Sequence, residues 1–591
     1  MNFFKQNIYA VKTLWGLSKS RVLHMAVKSA VGYFEWLFGS IFFARYIVHA
    51  LETEAAFSEI MTFIFVVALV LGVCALYSSY VDMCVNPITG NIVRRGLYAR
   101  LYAKARNVEL RCYEDAEFYN KYTMALDDAD GRIMQTGRTF FGILSGIVAS
   151  GVAFYVMYTI DPFSVLFVLS PILGNFFFGA IMSRLEAKQY AENTPHNRKA
   201  GYVTRVMYLA EFAKEVRMSN IFRLMVSRFD ESVRGNHAVA DKFAVRGTFS
   251  LWLKNITTFS LVFQGMVIYA AYRAMVTESI GLAELAILFS AMVTTSWIFI
   301  GLFGMISESL KNCVFINYLR GFLEYKEEIP EEQDGLALAE KISTIEFKNV
   351  SFVYKNGHHA IKNCSLVIHG GETIAFAGHN GAGKSTLIKL LFRLYDPTEG
   401  EILLNGINIK EYNLKAYRRL FAAAFQDYKI FSMSVRDNVL LEKSGDAEAA
   451  LKQAGVWEEI NKLQNGIGTT LTKEFDENGA VLSEGNIQKV VVARAFANPA
   501  PVQVYDEPSS ALDPIAEYNL YTSIMAASRG HTTLFISHRL SSVADADIVY
   551  VMENGEIIER GSHHELMAAG KKYAEMFMMQ AQSYSADLEG A

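Results

Sequence analysis

Gly378-His-Asn-Gly-Ala-Gly-Lys-Ser-Thr386 is the stretch on which the reading of this 591-residue chain turns. It has the form G-x-x-x-x-G-K-[ST]. It follows Ile374-Ala-Phe-Ala377, apolar enough for a buried strand, and precedes the apolar helix expected over 387–394. Glycines at 378, 381 and 383 let successive backbone N–H groups turn toward one point, and the helix N-terminus adds positive potential there. Such a loop cradles phosphates. Lys384 is placed to reach β and γ phosphates, and Ser385 to ligate magnesium.

Working outward, the strand Val502-Gln-Val-Tyr505 ends in Asp506-Glu507, 122 residues after Lys384. An acid at the carboxyl end of such a strand sits beside the phosphate loop and can hold magnesium, and Glu507 can polarise an attacking water. A third strand, Thr533 to Ser537, ends at His538, which is placed to contact the γ phosphate. An acid at a strand end is common. The ordered set is specific.

Toward the N-terminus the composition changes. The whole chain is 52% hydrophobic and 20% charged with net charge −4, which excludes both a disordered chain and a chain wholly within the bilayer. Up to Pro330 there are 32 Lys+Arg against 26 Asp+Glu, and from Glu331 there are 24 against 34, so +6 is followed by −10. Neither part is basic enough for a nucleic-acid surface. Ten prolines point to long helices, and five scattered cysteines without a CxxC pair make neither a disulfide framework nor a zinc site.

Membrane crossings need about 20 apolar residues. Five charge-free stretches have that length, at 60–81, 139–160, 162–183, 255–272 and 285–307. A sixth, 22–50, carries Lys28, Glu35 and Arg45. Lys5, Lys12, Lys19 and Arg21 precede the first crossing, which places the N-terminus in the cytoplasm, the first 20 residues lying along the inner surface. Two long basic loops, 82–138 and 184–254, are expected to extend the membrane helices into the cytoplasm. Gly142, Gly146 and Ser150 recur every four residues, as in close helix contacts or by chance. Glu35 either lines a substrate path or pairs with a neighbouring helix.

These features resemble an ABC transporter subunit of the exporter type, over nearly the whole chain. The matching residues are Tyr354, the phosphate loop (Gly378, His379, Asn380, Gly381, Ala382, Gly383, Lys384, Ser385, Thr386), Gln426, Leu482-Ser-Glu-Gly-Asn486, Asp506-Glu507, Asp513 and His538. The resemblance implies an α-helical six-helix transmembrane domain (1–330) followed by an α/β P-loop nucleotide-binding domain (331–591). Tyr354 then stacks on adenine, and Ser385, Gln426 and Asp506 hold Mg2+ beside ATP. Glu507 and His538 are catalytic. Ser483 and Gly485 of the signature serve a facing domain's nucleotide, and Asp513 crosses the dimer interface. Short cytoplasmic helices near 114–122 and 212–220 dock on the ATPase domains.

The signature reads LSEGN where the family carries LSGGQ, so Glu484 adds bulk and negative charge near phosphate. The resemblance implies a heterodimer with a second half-transporter of intact signature, the alternative being a tolerated variant in a homodimer. Exporters of this type move lipophilic, amphipathic or peptide substrates across a membrane, here a bacterial inner membrane. An ATP-gated channel or sensor, or an importer on the same fold, are the competing readings. No peptidase fold accompanies Cys112, and the pairs His358-His359 and His563-His564 are expected at the surface rather than on a metal.

Overall fold

The computed structural model describes residues 3–126, 128–277, 280–338, 342–441, 443–509, 511–537 and 543–589. They form two compact units. One comprises 1–104 and 120–325, the other 105–119 and 326–591.

The first unit is helical. After the helix Phe3–Leu17, six long helical runs cover 19–52, 57–107, 129–160, 164–208, 221–275 and 282–323 among the described residues; the second passes into the other unit after Lys104. Three runs contain a π-helical turn, at Phe38–Phe42, Val81–Val85 and Ile256–Ser260. Four runs are long and apolar enough to cross a membrane: Phe57–Asn107, Ala129–Ile160, Ser164–Tyr190 and Glu284–Leu323. The other two expected crossings are helical but more polar. Lys28, Glu35 and Arg45 punctuate one, and Asn255, Thr257 and Gln264 dilute the other.

The helix Ala129–Ile160 is central to this packing. Its residues Ala149, Ala153 and Met157 share a buried cluster with Leu37, Ile41, Leu288, Ala291 and Met292. The small-residue stripe explains the close approach. A Cβ at Gly142 would lie 2.4 Å from Met305 Sδ, and one at Gly146 2.6 Å from Leu302 Cδ2. Of the two readings of that stripe, a contact face is the one observed. In contrast, Phe57, Phe65 and Leu76 project outward at 70% exposure or more, as expected of side chains solvated by lipid.

The second unit is built on two sheets. Strands β1 (Thr344–Val353), β2 (His359–His369), β4 (Glu399–Leu404) and β5 (Ile407–Asn408) form an antiparallel sheet in the order β2-β1-β4-β5. Strands β3 (Thr373–Ala377), β6 (Phe421–Ala424), β7 (Val502–Asp506), β8 (Thr532–Ile536), β9 (Ile548–Glu553) and β10 (Glu556–Gly561) form the second, ordered β10-β9-β3-β8-β7-β6. All its pairs are parallel except β10–β9. Every residue of β3, β7 and β8 is buried, because helices cover both faces of a parallel sheet. A smaller helical lobe, with Val435, Leu451, Ile460 and Val490 in its core, carries the signature helix Glu484–Phe496.

Residues 105–119 belong to this second unit although the chain on both sides belongs to the first. Leu110 packs on the core of the two sheets. Glu109 is buried and accepts hydrogen bonds from the backbone N–H groups of Glu328 and Ile329. Glu114 accepts from the Tyr395 hydroxyl and pairs with Lys389 Nζ at 3.4 Å, and Asp115 pairs with Lys355. This segment overlaps the first expected docking helix. The second, Ala213–Met218, lies in the helical unit, with the Met218 side chain exposed.

Candidate nucleotide site

The site forms where β3 ends. Gly378 has φ +148° and stands so close to β9 that a Cβ would lie 2.3 Å from Met552 O; Gly383 has φ +104° with Ala360 O in the same role. Only glycine fits these turns, and they release the chain into the helix Lys384–Leu391. A pocket of about 290 Å3 opens above, lined by Asn380 to Thr386 together with Tyr354, His358, Ala360, Gln426 and Glu507. Gly378 and His379 line its floor indirectly: their carbonyl oxygens accept from Lys384 Nζ at 2.8 and 3.0 Å. Burial holds that ammonium below its ordinary pKa, against the opposing pull of Glu507 and Asp506.

Asp506 ends β7 beneath the loop. Burial first, and then the neighbouring Glu507, push its carboxyl up to about 6, while a hydrogen bond from Ser385 and the charge of Lys384 draw it down. Its Oδ1 is buried without a hydrogen-bond partner. A buried carboxylate oxygen left unsatisfied beside a serine hydroxyl is a donor set suited to a small hard cation. Gln426 reaches the site from the loop after β6, its Nε2 donating to Glu507 Oε2 at 2.8 Å. Glu507 itself has φ +49°, a left-handed backbone fixed by its N–H donating to Ile536 O of β8 at 3.0 Å. Strain of this kind collects at functional sites.

Tyr354 lies at the other end of the pocket, its hydroxyl 3.1 Å from Thr386 Oγ1. Its ring meets Tyr395 edge-on at 5.7 Å. Through Tyr395 it adjoins Glu114 of the 105–119 segment; burial and that carboxylate push the Tyr395 phenol far above its usual pKa. His358, expected at the surface, is exposed but also forms part of the pocket wall, its ring 6.4 Å from that of Tyr354 at an interplanar angle of 17°. Among the described residues no cluster of His, Cys, Asp and Glu could hold a metal by itself.

Not every expected residue gathers here. Ser483, Gly485 and Asp513 do not line the pocket. Ser483 caps the signature helix, its Oγ accepting from Asn486 N at 3.4 Å, and Asp513 caps the helix Pro514–Ser528. Backbone hydrogen bonds in that cap hold the Asp513 carboxyl below its ordinary range. His538 lies outside the described residues. Sequence reading passed over Gln488, which is buried and donates from Nε2 to Glu507 O at 3.1 Å. The available signal was a glutamine on the apolar face of a helix that also carries Val491 and Val492.

A phosphate loop, a buried acid and a strained glutamate on a chain with long apolar helices define a membrane-embedded nucleotide-binding protein of the P-loop class. Residues 361–510 match the family model described as ABC transporter. The chain is 39% identical over 262 residues to the ATP-dependent lipid A-core flippase of Paraburkholderia xenovorans strain LB400, an alignment spanning 43% of each protein. It is 28% identical to the subtilin transport ATP-binding protein SpaT of Bacillus subtilis, over 81% of this chain and 78% of that one. The lipid A-core flippase of Salmonella typhimurium is 26% identical over 86% of both. A bacterial Atm1-family ABC exporter solved with ATP bound superposes with a TM-score of 0.76 at 21% identity, covering 95% of this chain and 98% of the other. Residues 361–510 thus carry an ABC transporter ATPase domain, fused to a domain of long apolar helices, and the chain as a whole has the fold of an ABC exporter half-transporter.

Proposed function

We propose that this half-transporter pairs with a second one and couples ATP hydrolysis to export of a lipophilic, amphipathic or peptide substrate by alternating access. The observation that carries the reading is the Glu507 carboxylate, held by Gln426 beside the phosphate loop on the same chain as the apolar helices. In this reading the membrane domain ends at Pro330, and the N-terminus and ATPase domain face the cytoplasm of a bacterial cell. Relatives named for lipid A-core and for subtilin support a cargo of this broad kind.

Each residue has a task that follows from its place. Backbone N–H groups of 380–386 and Lys384 hold the phosphates, and Tyr354 turns from Thr386 to stack on adenine. Ser385, Gln426 and Asp506 would hold Mg2+, which neutralises phosphate charge when bound. Glu507 orients the attacking water and accepts its proton, and His538 is assigned to the γ phosphate. Ser483 and Gly485 serve the nucleotide held by the facing domain, with Asp513 at that interface. Because Glu484 puts a carboxylate at the signature, we assign this chain to a heterodimer in which its own phosphate loop, closed by a partner's signature, makes the hydrolytic site.

The test is ATP hydrolysis by the purified transporter in lipid vesicles, alone and co-expressed with a candidate partner, with Glu507→Gln beside the wild type. Loss of hydrolysis with retained ATP binding is the expected result. Unchanged hydrolysis in that variant removes the assignment of Glu507.

A further inference from the structure

Gln488 joins two places that the reading above treats as separate. It lies one turn into the signature helix, and its side chain is only 3% exposed. Its carboxamide faces the loop that follows β7. Nε2 donates to Glu507 O at 3.1 Å, and Oε1 accepts from Ala511 N at 2.9 Å. The first turn of the same helix lies against that loop as well: a Cβ on Gly485 would sit 3.1 Å from Leu512 Cδ2 and 3.2 Å from Ala511 O.

The loop is fixed elsewhere too. The Glu507 N–H is tied to Ile536 of β8 and its carboxylate to Gln426. Ser509 Oγ donates to the buried Glu517 Oε1 at 2.7 Å, and Asp513 is held by Ile515 N and Ala516 N. Gln488 thus fixes the start and the middle of a loop already held at its base and its end. The two bonds need a donor and an acceptor on one planar group, which glutamine carries and neither glutamate nor an apolar residue of equal length does. A tilt of the signature helix must then either drag the Glu507 backbone or break both part-buried bonds.

We propose that Gln488 is a positioning residue that ties the signature helix, which serves the nucleotide of the facing domain, to the backbone of Glu507 in the chain's own site. Occupancy at one site thereby sets the aim of the carboxylate at the other. The proposal rests on the reading of Glu507 as the group that orients the attacking water.

The test uses the full transporter in vesicles, with Gln488→Met, which keeps the length and removes both bonds, and Gln488→Glu, which keeps the acceptor for Ala511 and removes the donor to Glu507. Glu507→Gln is measured in parallel. Both Gln488 variants are expected to lose about 10–100-fold in kcat, as a misaimed reacting group does, with KM for ATP and nucleotide affinity unchanged and a cooperative melting transition retained, at a temperature lowered by the loss of those bonds. Wild-type kcat in both variants, beside an inactive Glu507→Gln, overturns the proposal. So does a loss of ATP affinity or of the melting transition in step with kcat, which makes Gln488 a packing residue. Full hydrolysis in Glu507→Gln overturns the reading of Glu507 itself, and this inference with it.

Discussion

The phosphate loop and the signature lie on the same ATPase unit and both end in helix N-termini, yet the chain treats them differently. Around the phosphate loop, Tyr354, Lys384, Ser385, Gln426 and Glu507 converge on one pocket, with Asp506 buried below it. At the signature, Ser483 and Gly485 stand outside that pocket, and a carboxylate, Glu484, occupies the first helical turn. The residues of the first place meet one another within the chain; those of the second meet no part of that pocket, and in the proposed function they serve a facing domain's nucleotide. The difference teaches that two helix N-termini of one unit can be built for different work, one set among its own side chains and one left facing outward from them.

Four experiments press on that contrast. Glu507→Gln should lower kcat by about 10²–10⁴-fold, the usual worth of a positioned base, and leave ATP binding in place. Equal losses of both would show that the pocket is a binding site only. Lys384→Met removes a charge-assisted contact worth about 1.5–3 kcal/mol, so ATP affinity measured by titration should fall by about 10–100-fold.

Asp506 separates the two places by pH. Burial and the neighbouring Glu507 raise its carboxyl to about 6. The folded protein therefore keeps a proton that the unfolded chain releases near pH 4, and the associated stability is complete below that value and lost as pH rises through about 6. Asp506→Asn should raise the melting transition of the nucleotide-free protein at pH 8, by on the order of 1–3 kcal/mol, with the gain closing by pH 4. No gain at pH 8 would mean that the buried oxygen is solvated in solution. The smallest effect belongs to the signature. If the signature serves a facing domain's nucleotide as proposed, Glu484→Gly removes one charge near its phosphates, worth about 1 kcal/mol in a watery cleft, so hydrolysis by the complex should rise up to about fivefold. A complex with the partner at its unaltered rate would show that Glu484 points away from phosphate.

The ease with which each place could be read follows the range of its physics. Gly378 to Thr386 was legible because the turn of its glycine backbones and the reach of Lys384 to the carbonyls of Gly378 and His379 are set within a few residues, although the strands those glycines approach, at Met552 and Ala360, were not. Gly142, Gly146 and Ser150 were legible as a face, though which helix they meet was not, since Met305 and Leu302 lie far along the chain. The crossing over 22–50 blurred because Lys28, Glu35 and Arg45 interrupt its apolar run, while its backbone stays helical through a π turn. Gln488 was legible only as a polar side chain on an apolar helix face; its partners are the backbone of Glu507 and Ala511, and main-chain groups leave no mark in a sequence. Nor could periodicity tell that 105–119, flanked by membrane helices, packs on the ATPase sheets.

That last feature has a consequence in time. The segment 105–119 is synthesised some 200 residues before Lys326, where the remainder of its unit begins. At about 5–20 residues per second, the ribosome needs about 10–40 s to cover the interval. Throughout it, Leu110 lacks the core it will pack on, Glu109 lacks the backbone groups of Glu328 and Ile329, and Glu114 lacks Tyr395. The nascent membrane half must carry an unfinished apolar and acidic strip until the second half arrives. A chaperone or the bilayer surface has that long to shield it.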